Sequence, residues 1–207
     1  MERGKLITIE GLDGAGKTTL ASALVDTLHD HGRRAQLLRE PGGVPAAEAV
    51  RALVKDPGLR ISDRTEALLY AAARAQLVEE ALEPLLARGI WVVLDRFVDS
   101  SLAYQGAGRG LGLESVREIN AFATAGLAPD LTLLLRVDPA TGRERSQRRG
   151  EAPDRLELQS DGFFDRVAAG YDALASADPG RIRTLDASGS PEAVLAAAQS
   201  ALGDLLG

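Results

Sequence analysis

A chain of 207 residues is long enough for one α/β domain with a sizeable core and short for two domains joined by a linker, so a single domain over residues 1–207 is expected. Hydrophobic residues at 45% and charged residues at 26% are the balance of a folded globular protein. No apolar run approaches the ~20 residues of a membrane span, and the N-terminus lacks a secretory core, so a cytoplasmic protein without a membrane partner is expected. The net charge of −6 disfavours a surface that coats nucleic acid, and the lack of cysteine excludes disulfides and thiolate chemistry, leaving oxygen ligands for any metal.

In chain order, residues 5–9 form an apolar run that stops at Glu10 and Gly11, and residues 17–28 then carry Leu20, Leu24 and Leu28 four apart. This pattern predicts strand, glycine-rich turn and helix. Residues 35–38 read as a second strand, 39–44 as a loop, and 46–54 as a short helix. Asp63 with Glu66 resembles a helix-capping pair opening a long helix to about residue 87. Residues 90–94 are continuously apolar, as a parallel strand covered on both faces should be. A polar loop is expected next, then a helix over 113–125 and a fourth buried strand over 131–135. Asp138 and Pro139 start another helix; a basic stretch, a helix near 158–177, a last strand over 181–185 and a helix opened by Ser190 and Pro191 complete the chain. Strands regularly separated by helices predict an α/β fold, a five-stranded parallel sheet with helices on both faces.

The segment Gly11, Leu12, Asp13, Gly14, Ala15, Gly16, Lys17, Thr18 fits the pattern GxxxxGK[ST] in full, and it lies where the chemistry needs it, after a strand and at a helix start. Glycines let backbone N–H groups point at phosphate oxygens, and the helix N-terminus favours the anion. Lys17 adds a mobile positive charge and Thr18 offers a hydroxyl to Mg²⁺. With only three lysines against 21 arginines, a lysine at this spacing is hard to regard as incidental. Residues Gly11 to Thr19 are therefore expected to bind a nucleoside triphosphate, but the motif alone does not choose among ATPases, GTPases and kinases.

Ligands of open α/β sheets bind beyond the carboxyl ends of the strands, which directs attention to Arg39 and Glu40 and to Asp95 and Arg96. A carboxylate there can hold Mg²⁺ while an adjacent arginine clamps an acceptor phosphate; the bland alternative is a surface ion pair at a strand end. The phosphate loop with its acidic Asp13 is joined by Arg39-Glu40-Pro41-Gly42-Gly43, Leu69-Tyr70-Ala71-Ala72-Ala73-Arg74, Asp95-Arg96-Phe97, the run from Ser100 to Gly106, and residues 145–157. Together they resemble the bacterial thymidylate kinases over nearly the whole length, which implies a P-loop nucleoside monophosphate kinase fold and a homodimer. The resemblance implies that Tyr70 stacks on a pyrimidine while Arg74 donates to its O4 carbonyl. Gln105 then pairs with the amide edge, Tyr104 crowds the 2′ position, Ser101 stands at the base, and Pro41 belongs to the acceptor loop. Asp13 would lie near the sugar 3′-hydroxyl and acceptor phosphate, with Arg96 on that phosphate. Thr18 and Asp95 would serve Mg²⁺. Tyr70 differs from the usual phenylalanine, and Ser101 from the asparagine of many relatives.

Arg143, Arg145, Arg148 and Arg149 crowd one short helix, ordinarily a solvated face. In the family this segment, about residues 143–157, is a lid over ATP, and forms whose phosphate loop lacks an arginine supply a catalytic one from the lid. Position 15 is Ala, so Arg149 and Arg145 are expected to join Lys17, Asp13 and Arg96 in catalysis. The expected reaction is ATP + dTMP → ADP + dTDP with Mg²⁺, carried by positioning and electrostatics. Another nucleoside or nucleoside monophosphate kinase, and a P-loop regulatory switch, are the competing readings.

Overall fold

The computed structural model describes residues 2–148, 150 and 153–206. The amino-terminal half runs β1 (Leu6–Gly11), α1 (Lys17–Asp30), β2 (Ala35–Arg39), α2 (Pro45–Lys55), α3 (Asp63–Leu77), a π-helical turn Val78–Leu82, α4 (Glu83–Ala87) and β3 (Trp91–Asp95). It continues with α5 (Val98–Ser101), a π-helical stretch Leu102–Gly108, α6 (Leu113–Thr124), β4 (Leu131–Arg136), α7 (Pro139–Gln147), α8 (Asp161–Ala177), β5 (Ile182–Asp186), α9 (Pro191–Ala201) and α10 (Gly203–Leu206). All five strands are parallel, in the order β2-β3-β1-β4-β5.

Alternation along the strands divides the core between the two faces. Ile7, Ile9, Val93 and Leu133 pack with Leu20, Leu24 and Leu28 of α1 and with α9, while Leu6, Val92 and Leu94 pack with Leu77, Leu82 and Leu86 on the other side. A third cluster joins Leu134 and Ile182 to Tyr104, Phe163, Val167 and Tyr171 beneath the π-helical stretch and α8. Burying both faces explains why the strands read as unbroken apolar runs.

Register decides where chemistry can happen. Asp95 is level with Ile9 of β1 and with Arg39 of β2, so the phosphate loop after β1 and the acceptor loop after β2 leave the same edge of the sheet. The neighbouring strands β1 and β3 send their connections to opposite sides of the sheet, to β2 and to β4, the arrangement at which an open parallel sheet leaves a crevice for ligands.

Three local expectations are corrected. Residues 98–108, expected as a polar loop, are helical, because their serines and glutamine are buried with Leu102, Ala103 and Tyr104 instead of facing water. A segment buried on every side shows no helical periodicity to read. The cap of α3 is Ser62, whose Oγ accepts from the Thr65 N–H, which frees Glu66 for the interior. Helix α8 starts at Asp161 after Ser160, since residues 155–158 form turns. Among the described residues no helix is long and apolar enough to cross a membrane.

Candidate active site

The phosphate loop depends on backbone shapes that side chains disfavour. Gly14 (φ 78°) and Gly16 (φ 94°) are left-handed, and a Cβ on Gly14 would collide with the carbonyl of Gly142 in α7. A Cβ on Gly16 would meet nothing within 4 Å, so the space beside it at the start of α1 is open. Lys17 is nearly buried; its Nζ donates to the Leu12 carbonyl at 2.8 Å and lies 3.8 Å from Asp13. Burial, with the neighbouring positive charge of Arg96, pushes the Lys17 ammonium down to about 8.

Opposite the loop, Thr18 Oγ1 donates to Asp95 Oδ2 at 2.9 Å, which brings the two expected metal ligands together at the mouth of the crevice. A hydroxyl and a carboxylate are hard oxygen donors of the kind Mg²⁺ takes, and both line the main cavity. Among the described residues no cluster of three or more His, Asp or Glu side chains can hold an ion unaided, so phosphates and water would complete its coordination.

Arg96 is the hub of the acceptor side. It has φ 70°, and its guanidinium donates to Asp13 Oδ1 (2.6 Å), the Gly11 carbonyl (3.1 Å) and Ser100 Oγ (3.1 Å), and lies 5.1 Å over the Tyr104 ring. The Tyr104 hydroxyl donates to Asp13 Oδ2 at 3.3 Å. Beneath this cluster the buried carboxylate of Glu10 accepts from the N–H groups of Phe97 (2.8 Å) and Ser100 (3.2 Å), from Ser100 Oγ (2.5 Å) and from Tyr171 (2.9 Å). It thereby clamps the turn that follows the left-handed Arg96. Burial, reinforced by the nearby charge of Asp99, pushes Glu10 up to about 7.

Arg74 is almost wholly buried and each of its five N–H groups has a partner. Nε and Nη2 reach Glu40 Oε2 at 2.8 and 2.5 Å, Nη2 also reaches the Phe97 carbonyl, and Nη1 reaches Ser101 Oγ and Asn120 Oδ1. Donation to a base would require one of these partners to give way. Burial pushes Glu40 up, opposed by its pairing with Arg74. Its other oxygen, Oε1, is buried without a hydrogen-bond partner among the described residues. Tyr70, one helical turn before Arg74, lines the same cavity, and Gln105 is turned toward Glu66, its amide donating at 2.8 Å.

One cavity of about 730 Å³ is lined by Asp13, Gly14, Gly16, Lys17, Thr18, Thr19, Arg39, Glu40, Pro41, Tyr70, Arg74, Asp95, Arg96, Ser101, Tyr104, Gln105 and Arg145. Gly11, Leu12 and Ala15 do not line it: Leu12 and Ala15 are buried in the core beneath it, and the Ala15 N–H turns back to the Leu12 carbonyl. Arg145 sends its guanidinium to the carbonyls of Ala187 (2.8 Å) and Ser188 (3.2 Å), tying α7 to the loop after β5. Arg149 lies outside the described residues.

Several residues of the site escaped sequence reasoning. Arg51 lines the cavity and holds the Pro41 carbonyl at 2.8 Å; its spacing of three from Glu48 on α2 was the available signal. Glu66, Tyr70 and Arg74 recur every four residues and so share a helix face, a pattern that marked Glu66 as more than a cap partner. Glu10 and Asn120 gave no such signal, because their partners are remote in sequence.

The thymidylate kinase family model matches residues 9–198 of the chain. A thymidylate kinase of Alkalilimnicola ehrlichii is 49% identical over 205 residues, covering 98% of this chain and 94% of that one. One from Deinococcus radiodurans is 51% identical over 188 residues, covering 91% of each. Among solved structures, the crystal structure of thymidylate kinase from Ehrlichia chaffeensis superposes with a TM-score of 0.77 at 28% identity, over 97% of this chain and 99% of that one. With the phosphate loop, the acceptor arginines and the parallel sheet in their common order, the chain belongs to the thymidylate kinase family.

Proposed function

We propose that the chain transfers the γ-phosphoryl group of ATP to dTMP, giving ADP and dTDP. The observation that carries this reading is a single cavity holding both a phosphate cradle, Gly14 to Thr19, and a second set of polar and aromatic groups, Tyr70, Arg74, Tyr104 and Gln105, suited to a nucleotide base and sugar. A regulatory switch has no need of the second set.

The acceptor is already an anionic phosphate oxygen, so no general base is required. That oxygen attacks the γ-phosphorus as the bond to the β–γ bridging oxygen breaks, and ADP leaves. Lys17 sits where it can exchange its contact with the Leu12 carbonyl for phosphate oxygens. Arg96, oriented by Asp13 and by the turn that Glu10 clamps, neutralises the acceptor phosphate. Asp13 and Tyr104 face the sugar, and the bulk of Tyr104 disfavours a 2′-hydroxyl. Arg39 and Arg51 add positive charge at the acceptor end.

Thr18 and Asp95 would hold Mg²⁺ together with the phosphates, and the ion would supply neutralisation of phosphate charge. Arg145, which lines the cavity and ties α7 to the loop after β5, and Arg149 are the catalytic arginines of a lid of about residues 143–157. The protein is a single domain that pairs as a homodimer through α3 and α6. These helices pack on each other and expose Leu68 (55%) and Phe122 (91%), apolar side chains that a second copy would cover.

The test of specificity is ADP formation from ATP with a panel of acceptors. dTMP should be used far better than thymidine or dCMP, and preference for either of those would reject the reading.

A further inference from the structure

Glu66 is wholly buried, yet its carboxylate is shared by three side chains from two segments that are far from it in sequence. Oε1 accepts from the Gln105 amide (2.8 Å) and Arg109 Nε (3.2 Å). Oε2 accepts from Arg109 Nη2 (2.9 Å) and is ion-paired with Arg155 Nη2 at 2.6 Å. A buried carboxylate needs compensating charge, and here two arginines supply it.

The partners differ in what they are attached to. Arg109 lies over the Phe163 ring of α8 at 4.8 Å, a scaffold contact, and also reaches Gln159 at the end of the segment that carries Arg155. Gln105 lines the acceptor end of the cavity. Arg155 belongs to residues 153–159, which run between α7 and α8; its own N–H and Nε reach the carbonyls of Lys55 (3.3 Å) and Val54 (3.0 Å), and the adjacent Asp154 pairs with Lys55 at 2.9 Å. Asp154, Leu156 and Glu157 line the same cavity, and Glu157 accepts from Ser146 of α7 at 3.0 Å. Polar contacts therefore run from the acceptor end through Gln105 and Glu66 to Arg155, and from its chain neighbour Asp154, whose N–H donates to Glu157 at 3.0 Å, on to the helix that carries Arg145.

We propose that Glu66 is a positioning residue that couples occupancy of the acceptor site to the placement of residues 153–157 and α7 at the ATP side. The inference rests on the phosphotransfer reading above. When the Gln105 amide turns to an acceptor base, Oε1 loses a donor and the carboxylate's demand falls on Arg109 and Arg155. The Glu66–Arg155 pair, already at 2.6 Å, then carries more of the charge compensation and becomes harder to open, which holds residues 153–157 in place at the cavity, where α7 meets the nucleotide. Linkage makes the effect reciprocal: bound ATP raises affinity for the acceptor by the same factor.

The test is calorimetric titration of dTMP with and without a saturating non-hydrolysable ATP analogue and Mg²⁺, in the wild type, Glu66→Gln and Arg155→Ala. The wild type should bind dTMP about fivefold or more tightly when the analogue is present. In both variants that ratio should fall to about one, with affinity for the analogue alone within about twofold of the wild type, and Arg155→Lys should restore part of the ratio. Arg155→Ala leaves Glu66 its Arg109 partner and carries the test should Glu66→Gln fail to fold. A purely structural role would weaken both ligands and leave the ratio unchanged. An unchanged ratio in Arg155→Ala, or no coupling in a wild type that phosphorylates dTMP, overturns the proposal. A wild type that neither binds nor phosphorylates dTMP overturns the functional reading beneath it.

Discussion

Lys17 shows how one side chain can be costly to hold and worth holding. Its stem is buried, its ammonium rests on the Leu12 carbonyl, and burial with Arg96 nearby pushes it down to about 8. A charge so poorly solvated gains much from an incoming triphosphate. Lys17→Ala should reduce turnover by orders of magnitude and leave the far-ultraviolet circular dichroism spectrum unchanged, because the lysine supports the core little. Near-normal turnover would remove it from the mechanism. The pH dependence has a definite sign. The charged form binds phosphate, so the free enzyme should lose kcat/KM for ATP as pH rises through about 8, by about tenfold per unit beyond it. Bound triphosphate favours the ammonium, so the falling limb of kcat should lie higher. A profile of kcat/KM for ATP that stays flat to about pH 9.5 would show that Lys17 does not titrate there.

Elements were legible in the sequence to the extent that their signals were local. The phosphate loop is a run of neighbouring backbone groups, and its motif reported position and conformation together. The apolar strands and the amphipathic α1 were read to within a residue or two, as burial of both strand faces leaves a short unbroken apolar run and burial of one helix face leaves a periodic trace. The segment Val98–Gly108 left none, because it is buried all round and widens into a π-helical stretch in which the Arg109 N–H reaches the Tyr104 carbonyl five residues back. That widening carries Tyr104 and Gln105 into the cavity, and it rests on α8 through a close approach of Gly170 to Ala103 and Ala107. A Cβ on Gly170 would stand 2.8 Å from that of Ala107. Gly170→Val should therefore cost about 1–3 kcal/mol in thermal or urea unfolding and raise KM for dTMP more than KM for ATP. Equal changes in the two KM values would mean that α8 does not set the acceptor side.

At the scale of the molecule, the parallel sheet places the ends of β1, β2 and β3 level, which sets Arg39 beside Asp95 in register and lets Thr18, at the start of α1, reach the Asp95 carboxylate. The sequence pattern carried that far. It did not carry to the contacts of Arg74, whose partners come from the acceptor loop, the turn after β3, α5 and α6, or to Glu66, which was read as a cap and is a buried ion-pair centre. Such networks depend on distances closed only by the complete fold. The exposed Phe122 and Leu68 belong to this scale as well. Phe122→Glu should shift the protein from dimer to monomer in light scattering at micromolar concentration, and a dimer that survives it would move the interface elsewhere.

Phosphoryl exchange between the two halves of one cavity can be followed by phosphorus NMR of the enzyme with ATP, Mg²⁺ and dTMP. The expected result is paired diphosphate resonances of ADP and dTDP growing in equal amounts as the dTMP signal falls. ADP appearing with inorganic phosphate while dTMP persists would mean that water, and not dTMP, takes the phosphoryl group.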